Sequence, residues 1–384
     1  MRHRDPRYYV IAGEASGDLH GGNLVAALKQ EQPGAQIRGW GGDKMQAAGM
    51  ELVKHYRDLA FMGFAEVVMN LKTILNNLRS CKEDILAFKP DVLILVDYPG
   101  FNLRIAKWAR EQGIKVVYYI SPQVWAWKEG RVKMMKRCID KMLVILPFEQ
   151  AYYRDRWNWT VDYVGHPLIE EIDRKKKAGS DLVIRDAAGQ PVEKPVIALL
   201  PGSRKQEIEK KLPVMLAVSR EFPGFQFVVA QAPAVDSSFY LQFTRQYPNV
   251  SIVNNRTYDV LLQATAALVT SGTATLETAL FGIPEVVCYK GSEVSYQIAK
   301  RVISIKYISL VNLIMDKPVV KELIQGAMTA ANIITELKSL LFDDQRKAVL
   351  KKDYDVLHRI LAAEGDASRK AAAIITEFSA SVAG

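Results

Sequence analysis

Short apolar runs recur along the chain and predict two successive sets of β-strands. The first set is Tyr8–Ala12, Gln36–Trp40, Val92–Val96, Val116–Ile120, Met142–Leu146 and Val161–Val164, and the second is Val196–Leu200, Phe225–Ala230, Val250–Val253, Ala267–Thr270 and Glu285–Tyr289. Several runs are almost continuously apolar, which is typical of strands buried on both faces of a parallel sheet. Helix-like segments such as Asn102–Gln112 and Gln206–Glu221 lie between them. The alternation predicts an α/β protein with doubly wound parallel sheets.

The alternation is interrupted between Pro167 and Lys194, which suggests a boundary between two domains. This stretch contains a run of basic residues, Arg174–Lys177, and then glycine and proline. We interpret it as the end of one domain followed by a linker or loop, and the basic run as a solvent-exposed face. A chain of 384 residues also exceeds the roughly 250–300 residues of a single core. We predict domains over residues 1–170 and 171–345, with helices over 346–384 that pack back on the first domain or on a partner subunit.

Composition and charge narrow the class of protein. The chain is 49% apolar and 24% charged, as ordinary soluble proteins are, and no apolar run reaches the roughly 18 residues of a membrane-spanning helix. The net charge of +9 suits a phosphorylated substrate or an anionic membrane surface, whereas no nucleic-acid-binding motif is present. The three cysteines are far apart, and the histidines lack metal-ligand spacing. We therefore expect a cytosolic protein without disulfides or a metal site.

A glycine turn, Gly13–Asp18, directly follows the first predicted strand. It separates that strand from a helix predicted from Leu19 to Glu31. A turn of this kind often binds phosphate on backbone N–H groups at the helix N-terminus. Here Glu14 and Asp18 would repel a phosphate. The residues leave two possibilities: the loop binds another kind of group, or its acids take part in the chemistry.

Asp97 follows the apolar run Val92–Val96, and Pro99 and Gly100 then end the strand. We expect its carboxylate at the C-terminal edge of the sheet, facing a cleft between the two domains. A carboxylate in that position can act as a general base. The alternative is a cap for the helix that starts near Asn102.

The turn Gly202-Ser203-Arg204 has the composition of a phosphate-binding site. It lies between the strand Val196–Leu200 and a predicted helix. Glycine permits close approach, serine and the helix N-terminus offer donors, and arginine supplies a fixed charge, so together they can hold a diphosphate without a metal. The alternative is a surface turn whose arginine faces solvent.

A second strand-to-helix turn, Ser271-Gly272-Thr273, precedes Glu277. Ser271 or Thr273 can cap the helix that follows. Glu277 lies one turn after Thr273 and one residue too far for a capping box. Its carboxylate is then free to accept from hydroxyl groups such as those of a ribose, or it simply stabilises the start of the helix.

Two segments have the character of a lipid- or sugar-contacting surface. In Phe61–Leu78 the apolar residues fall at helical spacing and form one face, which is usually core but can also lie on a membrane or receive acyl chains. Trp125 and Trp127 follow another strand end, where they suit a sugar, an acyl chain or domain packing. A basic cluster that could face lipid phosphates comes next: Lys128, Arg131, Lys133, Lys136 and Arg137.

Together these motifs resemble the lipid-A-disaccharide synthase family, inverting glycosyltransferases of the GT-B fold. The resemblance runs in order over nearly the whole chain, through Gly13–Asp18, Met62-Gly63 with Glu66-Val67, Asp97–Asn102, Ser121–Trp127, Leu146–Glu149, Val164–His166, Leu200–Arg204, Ser271–Glu277 and Ser309–Leu313. One position departs from it, because the family often has a second acid where Gly100 stands.

The resemblance implies a GT-B fold of two Rossmann-like domains facing a cleft, with the N-terminal domain binding the acceptor and the C-terminal domain binding the UDP-sugar. It implies that UDP-2,3-diacylglucosamine donates its sugar to 2,3-diacylglucosamine-1-phosphate (lipid X), giving a β-1,6-linked disaccharide phosphate and UDP. We expect no cofactor, and we expect peripheral association with the anionic cytoplasmic face of the inner membrane. A homodimer is one assembly compatible with the resemblance.

The resemblance and the residue chemistry together define the candidate site. Asp97 is the candidate general base, and we place Glu14 and Asp18 beside it on the acceptor side. The candidate donor residues are Gly202, Ser203, Arg204, Ser271, Gly272, Thr273, Glu277 and Asn312. The candidate acceptor, acyl or membrane residues are Ser16, Gly17, Met62, Phe64, Val67, Val68, Leu71, Leu75, Trp125 and Trp127. We expect Glu14→Gln to lower turnover more than UDP affinity.

Two alternatives remain open at this stage. One is another UDP-sugar enzyme of the same fold, such as a peptidoglycan glycosyltransferase or a UDP-GlcNAc 2-epimerase. The other is a non-catalytic protein that binds a nucleotide sugar. An acyl-binding face and turnover only with an acylated acceptor would distinguish the first prediction from both.

Overall fold

The computed structural model describes residues 4–59, 71–126, 128–186, 189–233, 235–292, 296 and 306–383. The chain divides into two compact units. The first comprises Met1–Pro167 together with Leu361–Gly384, and the second comprises Leu168–Ile360. The chain therefore returns to its first unit at its C-terminal end.

In the described residues of the first unit, parallel strands alternate with helices. The strands are β1 (Arg7–Ala12), β2 (Gln36–Gly41), β3 (Glu51–His55), β4 (Val92–Val96), β5 (Lys115–Tyr119), β6 (Lys141–Val144) and β7 (Asp162–Tyr163). The helices are α1 (Ala15–Glu31), α2 (Asp43–Ala47), α3 (Leu71–Phe88), α4 (Pro99–Glu111), α5 (Val132–Cys138) and α6 (Pro147–Trp157). The strand order is β3-β2-β1-β4-β5-β6-β7, so the chain winds outward in both directions from the centre, as the apolar runs predicted.

The described residues of the second unit repeat this arrangement. The strands are β8 (Val196–Leu200), β9 (Gln226–Gln231), β10 (Val250–Asn254), β11 (Ala264–Thr270), β12 (Glu285–Tyr289) and β13 (Lys321–Ile324), in the order β10-β9-β8-β11-β12-β13. The helices are α7 (Leu168–Ala178), α8 (Lys205–Val218), α9 (Ser237–Thr244), α10 (Thr257–Gln263), α11 (Thr273–Phe281), α12 (Leu310–Met315), α13 (Ala330–Phe342) and α14 (Asp344–Ala362). A final helix, α15 (Ala367–Ala383), belongs to the first unit.

Alternating residues of the central strands build a core on each face of the first sheet. Tyr9 and Ile11 of β1 point into one buried cluster, and Tyr8 and Val10 point into the other. The second cluster also contains residues of α1 and of α15, of which Ala372 is fully buried. The C-terminal helix therefore supplies part of the core of the first unit, on the face that α1 covers.

Among the described residues, every predicted strand overlaps an observed one, but β3 and β13 were not predicted, and helix α7 occupies part of the stretch interpreted as a linker. The missed strands β3 and β13 lie at sheet edges and carry charged residues, so they lack a continuous apolar run. The stretch interpreted as a linker begins with α7. In its basic run Arg174, Lys176 and Lys177 are exposed, as expected, and Lys175 is half-buried. Lys175 pairs with Asp259 at 2.7 Å, and the Lys176 ammonium donates to the carbonyl of Leu280 at 2.6 Å. These contacts join α7 to the rest of the second unit, so the start of this stretch is part of a domain and not a linker.

Candidate active site

Asp97 lies on a turn that L-amino acids rarely adopt. Its φ is +45°, and that of Tyr98 is +50°; each such residue costs on the order of 1–3 kcal/mol and persists only where its surroundings hold it. The Tyr118 hydroxyl donates to the carbonyl oxygen of Asp97 at 2.6 Å, and the buried Asn102 amide donates to the same oxygen at 2.7 Å. The strained turn is thus held from β5 and from α4.

The pKa of the Asp97 carboxyl is raised toward neutral pH. Burial raises its pKa to about 6, and the negative charge of Glu14 acts in the same direction, while a backbone hydrogen bond from Tyr98 partly offsets both. At pH 7 the group is mostly ionised, yet it is a stronger base than an exposed aspartate. A carboxylate with these properties is suited to accept a proton from a hydroxyl group.

The glycine turn packs directly against the Asp97 turn. A Cβ on Gly13 would lie 2.2 Å from Cδ1 of Tyr98, so the ring occupies the space that a side chain would need. Glu14 is the exposed N-cap residue of α1, which starts four residues earlier than predicted. Ser16 is exposed and Gly17 is buried. The contact explains how the exposed carboxylate of Glu14 comes close enough to influence Asp97.

Asp18, another of the candidate catalytic residues, contacts the backbone of α2. Its side chain is buried, and its two carboxylate oxygens accept from the backbone N–H groups of Lys44 and Met45, each at 3.1 Å. These are first-turn N–H groups of α2, which have no partner within the helix. Both oxygens are thereby engaged, and Asp18 fastens α2 to the start of α1.

In the second unit, a cavity of about 420 Å³ lies at the C-terminal ends of the neighbouring strands β8 and β11. It brings together both predicted donor motifs. Its lining includes Gly202, Ser203, Arg204, Ser271, Gly272, Thr273 and Glu277, together with Glu207, Thr257 and Pro233. Of the candidate donor residues, Asn312 alone is absent from the lining of this cavity.

Two helix N-termini adjoin this cavity. Arg204 is the N-cap residue of α8 and Gly272 is the N-cap residue of α11, and neither end has a side-chain cap. This differs from the predicted capping by Ser271 or Thr273; the Ser271 hydroxyl donates instead to the carbonyl of Ile308 at 2.9 Å. Uncapped N–H groups and the helix dipole favour an anion. Among the described residues, Arg204 has no ion-pair partner within 4.0 Å, so its charge is available to a ligand.

Glu277 and Asn312 are engaged more fully than predicted. The Tyr258 hydroxyl donates to one oxygen of Glu277 at 2.8 Å, and burial raises the pKa of this carboxyl. The Asn312 amide donates to Glu322 and to the Val320 carbonyl, and its oxygen accepts from the Val320 N–H, all at 2.9 Å. Asn312 is 1% exposed. Its side chain therefore holds the backbone at Val320 against the start of α12.

Comparison with known proteins identifies the family. The model of the lipid-A-disaccharide synthetase family matches residues 8–378. The lipid-A-disaccharide synthase of Syntrophus aciditrophicus (strain SB) is 40% identical over 373 residues, which is 96% of each chain. The chain belongs to the lipid-A-disaccharide synthase family. The matched region, residues 8–378, extends over both units and contains all the motifs described above.

Solved structures of other enzymes share the fold of this lipid-A-disaccharide synthase family member. The glycosyltransferase of kitacinnamycin matches with a TM-score of 0.65 at 17% identity, covering 97% of this chain and 99% of that one. A UDP-GlcNAc 2-epimerase from Neisseria meningitidis, bound to UDP-GlcNAc, matches with a TM-score of 0.64 at 13% identity, with the same coverage. At these identities the likeness concerns the fold alone, and it confirms the predicted GT-B architecture of two parallel-sheet, Rossmann-like domains.

The predicted lipid-contacting residues of this synthase are only partly described. Met62, Phe64, Val67, Val68 and Trp127 lie outside the described residues, and Leu71 is described only as the first residue of α3. Leu75 is 57% exposed, so one apolar side chain of α3 points away from the core. An apolar pocket of about 220 Å³ lies nearby, lined by Leu59, Ile74, Asn77, Tyr98, Gly100, Phe101 and Arg104.

Sequence reasoning assigned no function to Glu149, although it lies in one of the family motifs. It is buried beneath half-buried Trp125. One oxygen accepts from the Trp125 indole N–H at 3.2 Å and the other from the Leu146 backbone N–H at 3.0 Å. Burial raises the pKa of this carboxyl to about 7. Glu149 therefore ties the loop after β5 to the start of α6, and spacing alone gave no sign of this contact.

Neither a metal cluster nor a membrane-spanning helix occurs among the described residues of the synthase. In the part of the chain that the structure describes, no group of three or more His, Cys, Asp and Glu side chains is arranged to hold a metal ion. No described helix is both long enough and apolar enough to cross a membrane.

Proposed function

We propose that this chain transfers the sugar of UDP-2,3-diacylglucosamine to the 6-hydroxyl of lipid X, giving a β-1,6-linked disaccharide phosphate and UDP. Family membership supports the reaction class. The observation that carries the proposal is the cavity of about 420 Å³ at the ends of β8 and β11. It is lined by an arginine without an ion-pair partner among the described residues, two helix N-termini and the carboxylates Glu207 and Glu277. This is the set of groups that a nucleoside diphosphate requires.

On the donor side, the leaving diphosphate acquires negative charge as the bond to the sugar breaks. Arg204 and the N–H groups at the starts of α8 and α11 supply positive potential that is already in place before reaction, which is the effective way to stabilise a developing charge. Glu277 accepts from a ribose hydroxyl through the oxygen that Tyr258 leaves available. In this proposal the chain's own groups stabilise UDP without a metal.

On the acceptor side, Asp97 removes the proton of the 6-hydroxyl of lipid X. The hydroxyl oxygen attacks the anomeric carbon from the face opposite UDP, so the new bond has inverted configuration. The bond to UDP breaks, and its electron pair passes to the diphosphate. A base with a pKa of about 6 remains ionised at neutral pH and holds the proton once it has moved.

We further propose that the apolar pocket beside Tyr98 receives part of an acyl chain of the acceptor. Its walls include Leu59, Ile74 and Phe101, and it adjoins the Asp97 turn through Tyr98. Gly100, the residue found here instead of the usual acid, also lines the pocket, and a Cβ there would meet no atom within 4 Å. Arg104, also in the lining, supplies a cation suited to the phosphate of lipid X.

We propose that the protein meets its lipid substrates at the anionic cytoplasmic face of the inner membrane. The exposed side chains Lys133, Lys136 and Arg137 share one side of α5. Basic residues near an anionic surface contribute about 1 kcal/mol each to binding, and the exposed Leu75 of α3 adds apolar character. Peripheral binding by charge and shallow insertion suits substrates that are themselves lipids.

The test is direct. Purified protein is incubated with UDP-2,3-diacylglucosamine and lipid X, and the products are analysed by mass spectrometry. The proposal predicts the disaccharide phosphate and one UDP for each disaccharide. Omission of lipid X is the control, because an epimerase or hydrolase would still convert the donor. UDP release that is independent of lipid X, or a failure to form disaccharide, would refute the proposal.

A further inference from the structure

Glu207 places a negative charge beside the predicted phosphate-binding turn. It lies in the first turn of α8 and lines the same cavity as Gly202 and Arg204. Its Oε2 is 2.5 Å from the position that a Cβ on Gly202 would occupy, so the carboxylate packs against this glycine. Gly202 has a φ of +119°, and a side chain there would be both strained and obstructed. A diphosphate bound at the turn would be repelled by an uncompensated Glu207.

Lys211 lies one helical turn further along α8 and is almost completely buried. It is 2% exposed, and its ammonium group lies 3.9 Å from Oε2 of Glu207. In the described part of the chain, Glu207 is the one carboxylate within ion-pair distance of Lys211. Burying an ammonium group costs several kcal/mol unless a partner compensates it. Neither the fold nor the proposed chemistry explains why α8 carries a lysine at this core position.

We propose that Lys211 is a positioning residue of the donor site, which neutralises Glu207 so that the Gly202–Arg204 turn can accept a diphosphate. The inference rests on the proposed function, since it concerns how the same cavity binds UDP. Lys211 is not among the residues lining the cavity. Its charge therefore acts through Glu207, whereas Arg204 is the cation that meets the ligand.

The neighbouring polar groups are consistent with this role. Burial lowers the pKa of Lys211 and the negative charge of Glu207 opposes that change, so the ammonium form depends on its partner. Cys288 in β12 would favour the ammonium form only as a thiolate, and burial raises its pKa to about 12. Exposed Lys210 disfavours the ammonium form. The Glu207 carboxylate lines the cavity, and its side chain is 35% exposed. Removing the lysine would thus leave a negative charge at the cavity wall.

The test is UDP binding by isothermal titration calorimetry on the full chain. Lys211→Met is expected to weaken UDP binding about fivefold, as expected for loss of one partly screened charge pair, while kcat at saturating donor stays within about twofold. The matched control is Lys210→Met, which removes the same charge from an exposed position of the same helix and should leave the UDP Kd unchanged. The double variant Glu207→Gln/Lys211→Met should restore wild-type affinity.

Restoration by the double variant distinguishes charge neutralisation from simple packing. A packing role for Lys211 predicts the same loss of affinity whether residue 207 is charged or neutral, which would overturn the proposal. Glu207→Gln alone provides a second measurement, which does not depend on whether Lys211→Met folds. We expect its UDP affinity to be unchanged or improved. A loss of about tenfold, the effect of one lost hydrogen bond to a charged group, would show that Glu207 itself binds the donor and would also overturn the proposal.

The two proposals can fail separately. If the wild-type chain forms disaccharide and binds UDP but Lys211→Met binds UDP as tightly as wild type, only the role of Lys211 is refuted. If the wild-type chain binds no UDP, the donor site itself has been misassigned and both fail.

Discussion

At Asp97, backbone strain, burial and a neighbouring negative charge coincide. Each of these raises the free energy of the folded protein, and the hydrogen bonds from Tyr118 and Asn102 hold the residue in place in spite of them. For a base, the same features are useful, because a destabilised carboxylate gains more by taking a proton. The balance between stability and activity at this residue can be measured.

Asp97→Asn should stabilise the protein in a pH-dependent way. Folding raises the pKa of Asp97 to about 6, so the folded state binds the proton more tightly than the unfolded state. The charged form therefore costs stability above pH 6, and this cost disappears as the pH falls toward 4. We expect the substitution to raise the Tm by differential scanning calorimetry at pH 8 more than at pH 4. Asparagine's better tolerance of the left-handed backbone contributes equally at both values, so an equal gain would contradict the assigned pKa.

Glu14→Gln should move the acid limb of the kcat profile to lower pH. The charge of Glu14 is the second cause of the raised pKa of Asp97, and its removal makes Asp97 a weaker base. Turnover should fall more than UDP affinity, measured by steady-state kinetics and calorimetry. Glu31→Gln, at the exposed far end of α1, is the control. A loss of UDP affinity with an unshifted acid limb would instead assign the loop to nucleotide binding.

Residue types and spacing predicted well which residues lie close together. They predicted less well what each side chain contacts. The turn Gly202–Arg204 and the turn at Ser271 come together around one cavity because they follow neighbouring parallel strands, which is a rule of topology. No such rule gives the direction of a side chain. Asp18 faces the N-terminus of α2, and Asn312 faces Val320. Those contacts depend on loops whose conformation no periodicity encodes.

At the scale of elements, the central strands were predictable, and the two strands that were missed lie at sheet edges. Strands such as β4 are apolar at every position because both faces are covered. Edge strands β3 and β13 pair on one side only and retain glutamate and lysine. Helix α7 was not predicted because its basic run resembles a solvent-exposed linker. In the structure Lys175 and Lys176 contact Asp259 and Leu280, which are distant in sequence. What stabilises β3, β13 and α7 is contact with parts of the chain that are distant in sequence, which a local pattern of residues does not show.

The exposed side of α5 should control binding to anionic membranes. Changing Lys133, Lys136 and Arg137 to glutamine removes three charges, each worth about 1 kcal/mol near an anionic surface. We expect a loss of co-sedimentation with vesicles containing anionic phospholipid, and no change with neutral vesicles. The control changes three exposed lysines of the second unit, Lys338, Lys351 and Lys352. Equal losses in both triple variants would show that net charge, rather than α5, is responsible.

At the scale of the whole molecule, we propose that the two units divide the chemistry between them. The first unit carries Asp97, whose pKa is raised to about 6, and the apolar pocket beside it, and the second carries the cavity lined by Arg204. The duplicated α/β architecture was evident from the repeated strand pattern, and membership of the lipid-A-disaccharide synthase family agrees with it. Our central claim is that acceptor activation and UDP binding reside in different units.

The most direct test compares Asp97→Asn with Arg204→Met in two assays, disaccharide formation by mass spectrometry and UDP binding by calorimetry. We predict that Asp97→Asn lowers kcat by about 10²–10⁴-fold, the usual contribution of a general base, with an unchanged UDP Kd. Arg204→Met should weaken UDP binding by about 10- to 100-fold, since it removes a charged hydrogen-bond donor. If Asp97→Asn formed disaccharide at the wild-type rate, or if it lost UDP binding as Arg204→Met does, the proposed division of the chemistry would be wrong.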